Sequence, residues 1–143
     1  MRKLAILLIA VMVAAVSTQA HASGKTPLEK VSALLTTGGD DARPKREAMS
    51  VFAVADVVTY IVTVRWQPID KGAGWRHVAW RWYIDGQLVS EVKQRHHFRP
   101  TPFEMWARLP GTSLGAGRAR VELLIDGQLF DAQDFEIRSG PAM

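Results

Sequence analysis

The pentapeptide Ile-Asp-Gly-Gln-Leu occurs twice, at residues 84–88 and 125–129, each time after a run in which apolar and polar residues alternate. Asp-Gly between such runs is a hairpin signal, because a two-residue type I′ turn needs positive φ at both central positions. Ahead of the first turn, Val78, Trp80, Trp82 and Ile84 alternate with His77, Ala79, Arg81 and Tyr83. Ahead of the second, Ala119, Val121, Leu123 and Ile125 alternate with Arg118, Arg120, Glu122 and Leu124. A period of two sends one set into a core and the other outward. The flanks of the two pentapeptides differ, so reuse of one favourable turn explains the repeat better than duplication.

The rest of the chain from Ala48 onward follows the same chemistry: short runs rich in Val, Ile and aromatics, bounded by turn residues. Strands are expected at Ser50–Val57, at Tyr60–Trp66, through the first hairpin to Lys93, at Phe103–Leu109, and through the second hairpin to Ile137. In the second hairpin, regular pairing sets Leu123 against Phe130 and Val121 against Ala132. Asp134 then falls on the core face, so a bulge near Gln133–Asp134 is expected to restore the phase for Phe135 and Ile137. Seven short strands with two tight hairpins and no long helix predict a single all-β domain over residues 48–138, an antiparallel immunoglobulin-like β-sandwich, with a tail at 139–143.

Two further segments precede that domain. Arg2 and Lys3, the apolar run Leu4–Val16 and Ala20-His21-Ala22 have the layout of a secretory signal peptide over residues 1–22. Thirteen apolar residues fall short of the ~20 that cross a bilayer. Within 23–47, Thr26 and Glu29 have capping-box spacing, Pro27 suits a first helical position and Gly38 a C-terminal cap. A short helix with Leu28, Val31 and Leu35 on one face is expected there, followed by a polar, mobile linker over 38–47.

The signal also alters the charge argument. The whole chain carries +4, but removing Arg2 and Lys3 leaves 16 basic against 14 acidic residues, +2. That weak excess, without a helix-turn-helix, zinc or oligonucleotide-binding signature, argues against nucleic acid as a partner. No second long apolar segment follows, so the mature chain is not expected to be integral to a membrane. The absence of cysteine excludes disulfides, thiolate metal sites, a thiol nucleophile and a lipidated cysteine. A periplasmic or secreted location is expected.

The stretch His77-Val78-Ala79-Trp80-Arg81-Trp82-Tyr83-Ile84-Asp85-Gly86-Gln87-Leu88-Val89 resembles the central signature of a bacterial family of exported domains of unknown function: a His, then Trp-Tyr-x-Asp-Gly and an apolar return strand. Trp106, Leu114-Gly115, Val121-Glu122, Asp126-Gly127 and Phe135-Glu136-Ile137 are similar to its later half, while Ala119 stands where an aromatic is common. The resemblance covers about residues 58–137. It implies an immunoglobulin-like sandwich at the cell envelope and brings no catalytic residues with it.

Candidate site residues are few. Trp66, Trp80 and Trp82 fall on the apolar phase and read as core. Trp106 shares a face with Glu104 and Arg108, and Trp75 lies between glycines in an expected loop, so both are candidates for stacking on a sugar or anchoring a partner. Packing against the N-terminal helix or linker is the competing account. Arg81 and Tyr83, with His77, would share an outer face with Arg118, Arg120 and Glu122 if their strands are neighbours, giving either an anion site or a solvated face with an Arg81–Glu122 ion pair. His96 and His97, in an expected loop, are candidate ligands for copper or zinc. Adjacent imidazoles in a strand point to opposite faces, so only a bent loop brings both to one metal. Hydrolase elbow, zincin and phosphate-loop motifs are absent. The expectation is an exported, non-catalytic β-sandwich without a cofactor that acts as a binding or structural module in the bacterial envelope, with an envelope protein or a glycan as partner. The alternatives are a periplasmic copper or zinc carrier and a carbohydrate-binding module.

Overall fold

The computed structural model describes residues 25–38, 47–99 and 102–140. The expected signal peptide and almost all of the expected linker lie outside the described residues. Eight strands and one short helix follow in the order β1 (Glu29–Thr37), β2 (Val51–Ala53), β3 (Val57–Arg65), β4 (Gly74–Ile84), β5 (Gln87–Phe98), β6 (Phe103–Pro110), α1 (Gly111–Leu114), β7 (Gly117–Ile125) and β8 (Gln128–Arg138). They form a three-stranded sheet, β1-β3-β6, and a five-stranded sheet, β2-β8-β7-β4-β5. This is the expected all-β sandwich of immunoglobulin-like type, with one strand more than the sequence pattern predicts.

The core lies between the sheets and is aromatic. Trp66, Trp80 and Trp82 are buried as their phase requires. Tyr60 of β3 meets Trp80 of β4 edge-on at 5.6 Å, and Phe135 of β8 stands edge-on to both Trp82 and Phe52. Perpendicular rings set the positive edge of one on the negative face of the other, which adds to the burial of large apolar area. Both Asp-Gly turns form as expected, with positive φ at Asp85, Gly86, Asp126 and Gly127.

The segment expected to be a helix is instead β1, paired antiparallel with β3 from Glu29↔Arg65 to Thr37↔Val58. The capping spacing is a local signal worth about 1 kcal/mol, and a helix this short is marginal alone. Pairing gives β3 a full neighbour and buries Leu35, whereas Val31, placed by helical spacing on the same apolar face, is 50% exposed. The ladder therefore outweighs the cap.

The first expected strand, Ser50–Val57, is cut to three residues. Ala53 N donates to Asp56 Oδ2 at 2.8 Å and Asp56 N returns to Ala53 O, closing a turn that moves the chain from one sheet to the other. α1 packs beneath this turn, and Gly111 N donates to Asp56 O at 2.7 Å. The first hairpin runs five residues further than expected. Its return strand continues through Arg95, His96 and His97 to Phe98, pairing with the start of β4 so that Trp75 also lies in a strand, opposite His97.

The bulge in the second hairpin sits closer to the turn than the hydrophobic phase alone predicts. Leu124 pairs with Leu129 and Leu123 with Asp131, so Phe130 is the extra residue. The first hairpin does the same thing: Tyr83 pairs with Leu88 and Trp82 with Ser90, skipping Val89. The repeated pentapeptide thus builds the same turn followed by the same one-residue bulge. In β8 the consequence is that Asp131, not Asp134, faces the interior.

Candidate functional site

Alternation along β4, β5, β7 and β8 delivers a continuous polar surface on the outer side of the five-stranded sheet. Arg81 is flanked by Glu91 on β5 and Glu122 on β7, and Tyr83 by Arg120 on β7, which is in turn opposite Asp134 on β8. The third and sixth strands of the expected seven are therefore neighbours, and Arg81, Tyr83 and Arg120 do share a face. The ion pairing differs from expectation. Arg81 Nε bonds Glu91 Oε2 at 2.5 Å rather than Glu122, and Arg120 lies between Asp134 at 3.3 Å and Glu122 at 3.5 Å. Tyr83 donates toward Glu122, which raises its phenol above the ordinary range, and Arg81 holds the Glu91 carboxyl below its ordinary range. Each arginine of the ladder is matched by a carboxylate, so the surface is an alternating charge mosaic and not a bare anion site.

Two hollows open on this face. One, of about 510 Å³, is lined by Tyr83, Asp85, Arg118, Arg120, Glu122 and Asp134 among others. The other, of about 370 Å³, lies over Ala79 and Leu124, walled by His77, Arg81, Lys93 and Gln94. The small side chain of Ala79 in a row of large ones makes the second hollow. At the far end of the face Trp75, 56% exposed, stacks on His97 at 4.9 Å between centroids, with the Arg95 guanidinium 5.1 Å from the indole centroid.

The other sequence candidates do not join them. Trp106 is 50% exposed, on the phase of β6 that the alternation predicts, and packs under the Arg108 guanidinium at 4.7 Å. It belongs to the outer face of the three-stranded sheet, so Trp75 and Trp106 do not build one platform. His96 and His97 lie in a regular strand. His97 faces outward onto Trp75, while His96 turns inward, bonded to Gln94 and edge-on to Phe103. The two imidazoles are not brought together, and among the described residues no group of three or more His, Cys, Asp or Glu is placed to hold a metal ion.

A buried polar cluster was not legible in advance. Tyr60 Oη donates to Asp131 Oδ2, Lys30 Nζ lies 2.7 Å from Asp131 Oδ1, and Gln133 Nε2 donates to Oδ2 at 3.2 Å. Burial opposes the charge on Asp131, but Lys30, Tyr60 and Gln133 outweigh it and hold the carboxyl below its ordinary range. Burial and the same carboxylate push the Tyr60 phenol far above its ordinary range. The cluster ties β1 and β3 of one sheet to β8 of the other. It is a structural clasp, since each member is satisfied by the others. A second clasp holds the N-terminal segment. Buried Arg76 donates to Thr26 O at 2.5 Å and to Asp126 Oδ2 at 3.2 Å, and Lys25 reaches Asp126 Oδ1 at 3.1 Å.

No protein-family model and no curated protein matches the sequence. Among solved structures, the chain is similar to an immunoglobulin-like protein from Pseudomonas aeruginosa, with a TM-score of 0.52 at 9% identity, covering 80% of this chain and 99% of that one. It is also similar to part of a Pseudomonas fluorescens alkylpurine DNA glycosylase, solved bound to DNA containing an abasic site analogue, with a TM-score of 0.55 at 12% identity. A β-glucosidase from Listeria innocua gives a TM-score of 0.50 at 11% identity. The chain spans 32% of the glycosylase and 16% of the glucosidase, against nearly all of the immunoglobulin-like protein. These likenesses show the fold alone. The fold they show is the immunoglobulin-like sandwich. Among the described residues no helix is long and apolar enough to cross a membrane.

Proposed function

We propose that this chain is an exported, non-catalytic immunoglobulin-like module that binds a protein partner of the cell envelope through the outer face of its five-stranded sheet. One observation carries the reading. Four of the five partner-binding candidates, Trp75, Arg81, Tyr83 and Arg120, lie on that one face, with two hollows between or beside them. An exposed tryptophan with half-buried tyrosine and arginine side chains on one sheet face offers the residue types that anchor protein interfaces. The alternating Arg–Glu ladder supplies a charge pattern that a complementary surface reads by position rather than by net charge. Export is supported by the basic start, the apolar run and Ala20-His21-Ala22.

The test is site-specific photo-crosslinking in whole cells, with the crosslinker at Tyr83 or, as control, at Trp106. A discrete adduct from position 83 and none from 106, lost in Arg120→Ala, supports the reading. Equal labelling from both faces overturns it. Intact mass of the protein from the extracytoplasmic fraction beginning at Ser23 supports export, and an uncleaved cytoplasmic chain opposes it. A glycan array addresses the alternative: specific sugar binding lost in Trp75→Ala would move the function to the Trp75 end of the same face.

A further inference from the structure

The five-stranded sheet has two unlike edges. One is β2, three residues long; the other is β5, twelve residues long, with no strand on its outer side among the described residues. Short edges, prolines, bulges and charged side chains are the usual devices that stop a sheet from adding further strands. Of these, β5 carries the charges of Glu91, Lys93 and Arg95, so only a strand of matching charge pattern can pair with it. β5 contains no proline, and its bulge at Val89 leaves the middle of the strand regular from Ser90 to Phe98. Val92 lies on the inner side, opposite Trp80, yet is 43% exposed, because the three-stranded sheet does not extend over it.

From these features we infer that β5 is a self-association edge, at which a second copy of this chain adds its own β5 antiparallel and joins the two five-stranded sheets into one. The occupant is set by the sequence of the strand, Ser90-Glu91-Val92-Lys93-Gln94, which is charge-complementary to itself when reversed. A two-fold axis through Val92 puts Val92 against Val92 and each Glu91 against the Lys93 of the other copy. Because opposed residues must share a face, the neighbouring symmetric registers move the axis by one whole residue. Centring on Glu91 opposes two glutamates, centring on Lys93 opposes two lysines, and centring on Gln94 sets Lys93 against Arg95. Like charges directly opposite destabilise a strand pair, so only the Val92 register pairs opposite charges without a like-charge clash. Glu91 is already positioned for this, with Oε2 fixed by Arg81 and Oε1 turned to the 73%-exposed Lys93 of its own chain. The inference is independent of the partner-binding reading, and the union would leave the outer faces of both copies open side by side.

The absence of cysteine allows a direct test. Val92→Cys sets the two thiols at a directly opposed pair, where Cα atoms stand about 4.5–5.5 Å apart, within disulfide reach. The purified Val92→Cys protein is expected to form a disulfide dimer under mild oxidation much faster than Trp106→Cys, at a position on the other sheet that is somewhat more exposed than Val92. In sedimentation across a concentration series the unmodified protein is expected to dimerise reversibly. Glu91→Lys and Lys93→Glu are each expected to raise the dissociation constant at least about tenfold. The double variant should restore it, and an equimolar mixture of the two single variants should form mixed dimers. A monomer at concentrations on the order of 100 μM, or equal crosslinking of the two cysteine variants, overturns the inference. Dimerisation unaffected by either charge reversal also overturns it. Loss of crosslinking at Tyr83 in cells would leave it standing, since that result concerns the other surface.

Discussion

At the scale of single residues, close approach and satisfied polarity set the costs. A Cβ on Gly111 would stand 2.6 Å from Val54 O and 3.0 Å from Ala53 O, backbone atoms that cannot rotate away. Gly111→Ala must therefore push α1 off the β2–β3 turn, and chemical denaturation is expected to show a loss of about 2 kcal/mol or more. Tyr60→Phe keeps the ring on Trp80 but deprives buried Asp131 of one donor, with an expected cost of about 1–3 kcal/mol. In Asp131→Asn the same tyrosine change should cost less, because the neutral amide makes a weaker bond with the phenol. A double-mutant cycle of denaturation midpoints measures that coupling. The five tryptophans divide as well: Trp66, Trp80 and Trp82 are buried, Trp75 and Trp106 half exposed. Acrylamide should quench only the fraction of the emission contributed by the last two, and Trp75→Phe with Trp106→Phe should abolish the accessible component.

Elements divide according to whether their cause is local or distant. The two Asp-Gly turns, the burial of Trp80 and Trp82 and the outward phase of Trp106 were readable because each follows from neighbours in sequence: a turn chemistry or a two-residue period. The shared face of Arg81, Tyr83 and Arg120 required one added assumption, the adjacency of their strands, which the sandwich architecture supplies. β1 was not readable as a strand, since Thr26, Pro27 and Glu29 offer a helix start and only the open edge of β3 favours a strand. Asp131 was missed for a related reason: the phase of β8 depends on a bulge whose position is fixed by pairing across the hairpin. The first hairpin held the missing signal, since the identical pentapeptide bulges at the same place, but that becomes visible only once one hairpin is seen. The alternative placements of β1 predict different mutational profiles. A helix docking by Leu28, Val31 and Leu35 would lose similar stability at each position. In the strand, Leu35 is buried and Val31 half exposed. Leu35→Ala should cost about 2–5 kcal/mol and Val31→Ala within about 0.5, measured by denaturant midpoints at constant slope.

For the whole molecule, the absence of cysteine leaves the sandwich to hold by its aromatic core, by the clasp that crosses from sheet to sheet and by the clasp on the N-terminal segment, and the two clasps make its stability depend on pH at both ends. Asp131 titrates lower in the folded chain than its ordinary 3.8, despite burial, because Lys30, Tyr60 and Gln133 favour the carboxylate. Asp126 is lowered in the same way, its burial outweighed by Lys25, the His77 backbone and Arg76. The stabilisation from both is complete above their unfolded values and is lost as pH falls through their folded ones. Tyr60 runs the other way. Its folded pKa lies far above the ordinary 10.0, through burial first and Asp131 second, so its contribution is complete below pH 10.0 and is lost as pH rises beyond it, where only the unfolded chain releases the proton. Thermal unfolding followed across pH should give a plateau between about pH 4 and 10 with a falling limb on either side. The chain has a second tyrosine, Tyr83, raised mainly by Glu122 on an open surface where solvent screens the effect. Tyr60→Phe should therefore lower the whole plateau while flattening the alkaline limb, and Tyr83→Phe should leave both nearly unchanged. An alkaline limb of undiminished steepness in Tyr60→Phe would show that the phenol is not held between the sheets by Asp131, and the clasp between β3 and β8 would have to be abandoned as a source of stability.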